Sequence, residues 1–223
     1  MDLLEAIEQR HSVRSYEDRP IEAETREELE KFMEELNDES GLHMQLITDE
    51  PKAFTGAKVL FVAGYGSFKG LKNYIALIGK SSADLNEKCG YYGEQLVLRA
   101  QQLGLRTCWV GGSYRKVPEA CDLRPGEKIT AIIAIGYGVT DGKPHKSKPA
   151  DKLMTVEGEA PDWFYKGLEA AILAPTAMNQ QKFVFQWKDG KVSAKAGLGP
   201  FSTMDLGIVK FHFEVGAGRK ITW

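Results

Sequence analysis

The sequence is poor in cysteine. Its three thiols, Cys89, Cys108 and Cys121, are scattered over 223 residues. None belongs to a Cys-x-x-Cys pair, and no histidine stands at zinc-ligand spacing from them. Neither a disulfide framework nor a zinc site is therefore read here. An odd thiol count suits a reducing compartment, and a cytoplasmic protein is expected. Long apolar runs are missing too. The longest, around Ile129–Ile135, falls far short of the about 20 residues that span a bilayer. The opening Met1-Asp2-Leu3-Leu4-Glu5 is acidic and helical in pattern and is not read as a signal peptide. Basic charge is not in excess: the formal net charge is −2. Neither nucleic acid nor an anionic membrane is expected as a partner. A Gly-x-Gly-x-x-Gly fingerprint is absent, which argues against a separate Rossmann domain.

What is present is an ordinary globular composition, 43% hydrophobic and 27% charged, on a chain long enough to bury a sizeable core. Leu3, Leu4, Ala6 and Ile7 share a helical face, and that helix ends near Arg10-His11-Ser12. A second helix is expected over Glu22–Leu36, with Thr25 and Glu28 as a capping box inside it and Asn37–Gly41 as a breaker. Strands are expected at His43–Ile47, Lys58–Ala63 and Tyr74–Ile78. Leu85–Leu103 reads as a mostly buried helix stopped by Gly104. Cys108–Gly112 reads as an extended segment entering a glycine turn, and Lys128–Ile135 as a buried strand. Asp141–Ala150 reads as a loop. Trp163–Leu173 reads as an amphipathic helix. Phe183–Trp187 and Val192–Ala196 flank Asp189-Gly190, a hairpin signal. Asp205–Val215 reads as a second apolar helix closed by Gly216 and Gly218. Helix, loop, two strands and buried helix occur in that order from Glu22 to Leu103 and again from Trp163 to Val215. Gly93 and Gly207 fall at matching places, which suggests an internal duplication. Mixed α+β domains also repeat such units without duplication.

Four clusters carry candidate chemistry. Arg10-His11-Ser12-Val13-Arg14-Ser15-Tyr16 sets two guanidinium groups and hydroxyls just past a short helix, and a guanidinium fork matches phosphate oxygens. A solvated basic turn has the same composition. In Ala174-Pro175-Thr176-Ala177-Met178-Asn179-Gln180-Gln181, small residues and two amides follow a helix end. Such a segment can lie against a flat heterocycle and read its polar edge, or be a plain polar loop. Trp109-Val110-Gly111-Gly112 lets backbone N–H groups approach a ring, or simply turns the chain. Lys146-Ser147-Lys148-Pro149 is a basic pair able to complete a phosphate site, or a solvated loop. His43, His212 and Cys108 read as packing or surface residues, Trp163 and Phe164 as core anchors or the lining of a substrate mouth, and Tyr91 and Tyr92 as core or as contacts to a bound ring.

Together the four clusters resemble the FMN-dependent nitroreductase family. Arg10 to Tyr16 is similar to its Arg-x-Ser-x-Arg-x-aromatic entry motif. Ala174–Gln181, with Phe183 and Phe185 behind it, is similar to its Ala-Pro-Ser-x-x-Asn-x-Gln segment. Gly93–Gly112 resembles its central helix and the glycine turn beside the flavin, and Lys146–Pro149 its basic-x-basic motif. One departure is plain. The Ala-Pro segment usually follows soon after the arginine motif, whereas here it comes near the end. The resemblance therefore implies a rearranged or duplicated, TM-nitroreductase-like member.

That resemblance implies an α+β nitroreductase-like fold, a central mixed β-sheet flanked by helices, with an internal duplication that mimics the family's homodimer. The halves would be 1–155 and 156–223, interlocked as a pseudo-dimer, in a monomer or a homodimer. It implies FMN as cofactor, NADH or NADPH as a transient donor, and a nitroaromatic, quinone or similar acceptor. Arg10, Lys146 and Lys148 would hold the phosphate, with His11 and Ser12 as neighbours. Arg14 would face the pyrimidine edge, and a backbone N–H near Val110, Gly111 or Gly112 the reactive nitrogen. Pro175, Thr176, Ala177, Met178, Asn179 and Gln181 would cover the other wall. No protein nucleophile or metal is implied. A flavin store or sensor without turnover has nearly the same sequence.

Overall fold

The computed structural model describes residues 1–54, 67–115 and 117–223. The fold is α+β and divides into two compact units. One comprises Arg10–Leu85 and Leu96–Lys143, the other Met1–Gln9, Asn86–Gln95 and Pro144–Trp223. The expected strand Lys58–Ala63 lies outside the described residues.

The first unit is built on a four-stranded sheet of β1 (Gln45–Ile47), β2 (Asn73–Lys80), β3 (Arg106–Val110) and β4 (Glu127–Gly136), in the order β1-β2-β4-β3. Its strands pair antiparallel. The sheet becomes mixed at its β3 edge, where Ser12 makes a parallel bridge to Thr107. Ile132 and Ala134 join Tyr74, Ala76, Cys108 and Val110 in one core. Ile133 and Ile135 point to the opposite face by the two-residue period, and they are equally buried. A strand covered on both faces explains the unbroken apolar run in the sequence.

The helix α2 (Ala23–Ser40) buries Leu29, Met33 and Leu36. It does not stop at Leu36. The Asn37 and Ser40 side chains bond back to the chain, at Met44 and at the Leu36 carbonyl. The helix ends only at Gly41, whose φ of 70° releases the chain while its N–H bonds Asn37 O. Thr25 sits inside the first turn rather than capping it. Glu22 is the cap position and makes no side-chain cap bond.

In the second unit β5 (Met154–Val156) pairs parallel with β6 (Phe183–Lys188), and β6 pairs antiparallel with β7 (Lys191–Ala196). Asp189 and Gly190, at φ 51° and 72°, make the tight hairpin turn. The remaining helices here are α1 (Leu3–Gln9), α4 (Asp162–Ile172) and α5 (Ser202–Ala217). The helix α3 (Leu85–Gln102) gives this unit its first half. Phe164, Phe185 and Phe213 are buried together, with the Phe185 and Phe213 rings stacked at 4.5 Å. Trp163 packs edge-on to Trp187 and to Phe213, as an anchor. His212 is buried between Ala170 O and Glu94, at 3.1 and 2.8 Å.

Helix α5 buries 12 of its 16 residues, and this is possible because α3 and α5 touch backbone to backbone. A Cβ on Gly90 would stand 2.0 Å from Met204 O, and one on Gly207 1.9 Å from Glu87 O. The approach is reciprocal. Gly90 faces Met204 and Ile208, and Gly207 faces Glu87 and Tyr91. Each glycine thus meets the residue three before and the residue one after the other, the pattern of a two-fold contact. The partner of Gly207 is Gly90, one turn before the Gly93 that the sequence pattern aligned with it. Gly216, expected to close α5, lies within it. A side chain there would meet Lys166 O at 2.5 Å, so its smallness serves the packing of α4 on α5, and Gly218 at φ 63° ends the helix.

Gly207→Ala must push two helix backbones apart. We expect a loss of about 3 kcal/mol or more, against about 1 kcal/mol for Gly41→Ala, where only left-handed strain is added. Urea unfolding of both variants checks this order.

Candidate functional site

The predicted residues fall into two sets, one in each unit. In the first, the chain leaves α1 at Arg10 and runs along the β3 edge. Val13 N–H donates to Thr107 O at 3.0 Å and Tyr16 N–H to Lys69 O at 2.9 Å. The Tyr16 hydroxyl donates to Val13 O at 2.8 Å, so the motif's aromatic closes its own turn. This path gathers Arg10, Ser12 and Arg14 around Cys108. Burial pushes the Cys108 thiol up, while Arg14, a Ser12 hydrogen bond and Arg10 pull it back down. Arg10 is only 4% exposed. His11 packs on Gly142, where a Cβ would come within 2.8 Å of its own. Strand β3 carries on from Cys108 through buried Val110 to Gly111 and exposed Gly112. Among the described residues nothing stands within 4 Å of a Cβ built on Gly112, and Gly112 itself is exposed.

In the second set the segment after α4 is bent by three non-glycine residues in left-handed backbone. Met178, Asn179 and Gln181 have φ of 51°, 52° and 44°. Each such residue costs roughly 1–3 kcal/mol and persists only where its surroundings hold it. Here the holders are visible. Lys148 Nζ donates to Gln180 O at 2.7 Å and Gln181 O at 3.0 Å, and its backbone N–H to Gln181 Oε1 at 2.6 Å. Asn179 Nδ2 donates to Lys146 O at 2.8 Å, and Gln180 Nε2 to Pro200 O at 2.9 Å. Thr176 Oγ1 accepts from Gln181 N–H at 3.1 Å. The structure thus joins the Lys146–Pro149 and Ala174–Gln181 motifs. Both lysines are exposed, and the Lys148 ammonium is engaged with carbonyls.

Sequence reasoning missed Asp205. Its carboxylate, in the first turn of α5, accepts Ala177 N–H at 3.0 and 3.2 Å. It is 3% exposed, and burial raises its pKa to about 7 against the pull of that N–H. A separation of 28 positions leaves no sequence signal for such a bond. Also unforeseen is a cavity of about 310 Å³ bordered by Arg19, Lys72 and Asn73, which takes Tyr16 from the arginine motif and none of the other predicted residues. Among the described residues no cluster of three metal-ligating side chains occurs, and no helix is long and apolar enough to cross a membrane.

The raised Asp205 pKa sets a stability test. The folded state favours the neutral carboxyl, so its contribution is full below about pH 4 and is lost as pH rises through about 7. Asp205→Asn should therefore gain on wild type between pH 5 and pH 8, by on the order of 2 kcal/mol. Equal urea midpoints for the two proteins at both pH values would overturn this.

Residues 2–217 match the family model described as putative TM nitroreductase. Among solved structures, a putative nitroreductase of Thermotoga maritima is similar over 97% of this chain and 83% of its own, at 24% identity and a TM-score of 0.65. A putative nitroreductase of Exiguobacterium sibiricum in complex with FMN is similar over 68% of this chain and 95% of its own, at 19% identity and a TM-score of 0.53. A putative NADH dehydrogenase/NAD(P)H nitroreductase of Bacteroides thetaiotaomicron covers the same shares at 21% identity and a TM-score of 0.52. No curated protein matches the chain. The structures share its fold, the family model spans nearly all of it, and the chain belongs to the putative TM nitroreductase family.

Proposed function

We propose that this chain is an FMN-dependent oxidoreductase. It takes electrons from NADH or NADPH and passes them to a small acceptor of the nitroaromatic or quinone type. The observation that carries this reading is the gathering of Arg10, Ser12 and Arg14 at the β3 edge that leads into Gly111-Gly112. Two guanidinium groups and a hydroxyl suit a phosphate and an electron-rich ring edge, and an open glycine backbone suits a flat ring. The FMN complex and the NAD(P)H nitroreductase among the fold relatives support the choice of cofactor and donor.

In this reading Arg10 and Lys146 bind the phosphate, with His11 and Ser12 beside them. Lys148 acts mainly through the carbonyls it holds. Arg14 places positive charge where the reduced ring is anionic. Val110, Gly111 and Gly112 offer backbone N–H groups. Pro175, Thr176, Ala177, Met178, Asn179 and Gln181 form the other wall, where exposed Asn179 keeps its Oδ1 to accept from the ring edge. When bound, FMN supplies the two-electron redox chemistry, and the protein binds, orients and shields it. The reciprocal Gly90–Gly207 crossing supports the duplication reading, in which α3 and α5 stand in for two helices of a homodimer. With only one Arg-x-Ser-x-Arg motif, the chain then carries one flavin site.

After loading and desalting, flavin retained at about one per chain is expected, and two per chain would overturn the single-site reading. Arg10→Ala should weaken FMN binding by at least about tenfold, as a buried charge-assisted contact does. Exposed Lys146→Ala should weaken it less. Unchanged affinity in the Arg10 variant would overturn the assignment. Retained flavin without NADH or NADPH oxidation in the presence of a quinone would favour a store or sensor.

A further inference from the structure

Among the ties that hold the segment from Ala174 to Gln181 in its strained shape, three come from different parts of the unit. Lys148 grips its C-terminal end through the Gln180 and Gln181 carbonyls. The Gln180 side chain ties it to Pro200, just before α5. The third tie is Asp205, which reaches the backbone N–H of the residue directly before the left-handed pair Met178-Asn179. Ala177 opens a single 3₁₀ turn, Ala177–Asn179, whose Thr176 cap makes no side-chain cap bond. A short turn of this kind leaves its first N–H groups without partners from the turn itself. Asp205 answers the first of them with both carboxylate oxygens.

We propose that Asp205 is a positioning residue for the proposed cofactor wall: its buried carboxyl pins Ala177 N–H and so keeps Met178, Asn179 and Gln181 in left-handed backbone. Asp205 does so from the second helix of the Gly90–Gly207 crossing, so the wall is indexed to a rigid element and not to a loop. The burial of Asp205 disfavours its charged form and lowers stability at neutral pH, which argues that its place in α5 serves the segment and not the core. The inference rests on the reading of residues 174–181 as a flavin-facing wall.

The test compares wild type with Asp205→Ala, Asp205→Asn, Met178→Gly and the Asp205→Ala/Met178→Gly pair. It reads melting temperature, amide hydrogen exchange over residues 177–181, and FMN affinity. Asp205→Ala should keep or raise the melting temperature, speed exchange in the segment at least tenfold, and weaken FMN binding about tenfold. Asp205→Asn retains an acceptor for Ala177 N–H and should stay within threefold of wild type. Glycine adopts left-handed backbone without penalty. In the Met178→Gly background, Asp205→Ala should therefore cost FMN binding less than threefold. Two results would each overturn the positioning role: wild-type exchange in Asp205→Ala, or an undiminished tenfold loss beside Met178→Gly. Should Asp205→Ala fail to fold, Asp205→Asn decides, and faster exchange in that variant overturns the role. If wild type binds no FMN, the flavin reading fails by itself, while the exchange measurement still decides whether Asp205 holds the segment.

Discussion

The backbone contact between α3 and α5 is the constraint on which the second unit depends. Two helices can approach this closely only where neither carries a side chain, and Gly90 and Gly207 provide that at one crossing point. Everything around the crossing then follows from burial. Helix α5 has almost no solvent face, so its polar residues need internal partners. Lys210 takes Glu87, Glu214 takes the Tyr91 hydroxyl and Trp223 Nε1, and Asp205 takes Ala177 N–H. A buried polar group without such a partner costs on the order of 1–3 kcal/mol. The crossing and its polar satisfaction are thus one requirement.

The first unit meets a different demand. Its sheet is covered on both faces, and the arginine motif is laid on the β3 edge as an irregular extra strand. The basic residues consequently stand beside a buried thiol instead of in open solvent, and the chain just after Arg10 is fixed by the pairing of Ser12 and Val13 with Thr107. A motif that looks like a solvated basic turn in the sequence is therefore part of the sheet's margin.

Much of this was legible beforehand. Strand β4 announced itself by an unbroken apolar run, the β6–β7 hairpin by Asp189-Gly190, and α3 by its apolar breadth. The four candidate motifs could be recognised as types of residue at suitable places. Three things were not legible. Helix α2 runs through a breaker-like stretch, because the Asn37 and Ser40 side chains bond locally in a way composition cannot show. Gly216 looked like a stop but is a packing residue, since only the approach of Lys166 O distinguishes the two. Asp205 and Lys148 act on backbone groups distant in sequence, and a backbone N–H or C=O carries no residue identity to recognise. The candidate segments were readable as an inventory of side chains, and the internal supports that shape them were not.

The order in which the chain visits its two units has a consequence for how it can be divided. Residues 1–9 belong to the second unit, 10–85 to the first, 86–95 to the second again, 96–143 to the first, and 144–223 to the second. The polypeptide therefore crosses over four times, and no single cut liberates either unit intact. A break at Lys143 leaves the C-terminal fragment without the ten residues Asn86–Gln95, the half of α3 against which Gly207 packs. The two fragments would have to recover by association what the continuous chain obtains by connectivity. If two ancestral copies were joined here, the joining is no longer a tether between separable parts but a threading that each part needs to be complete.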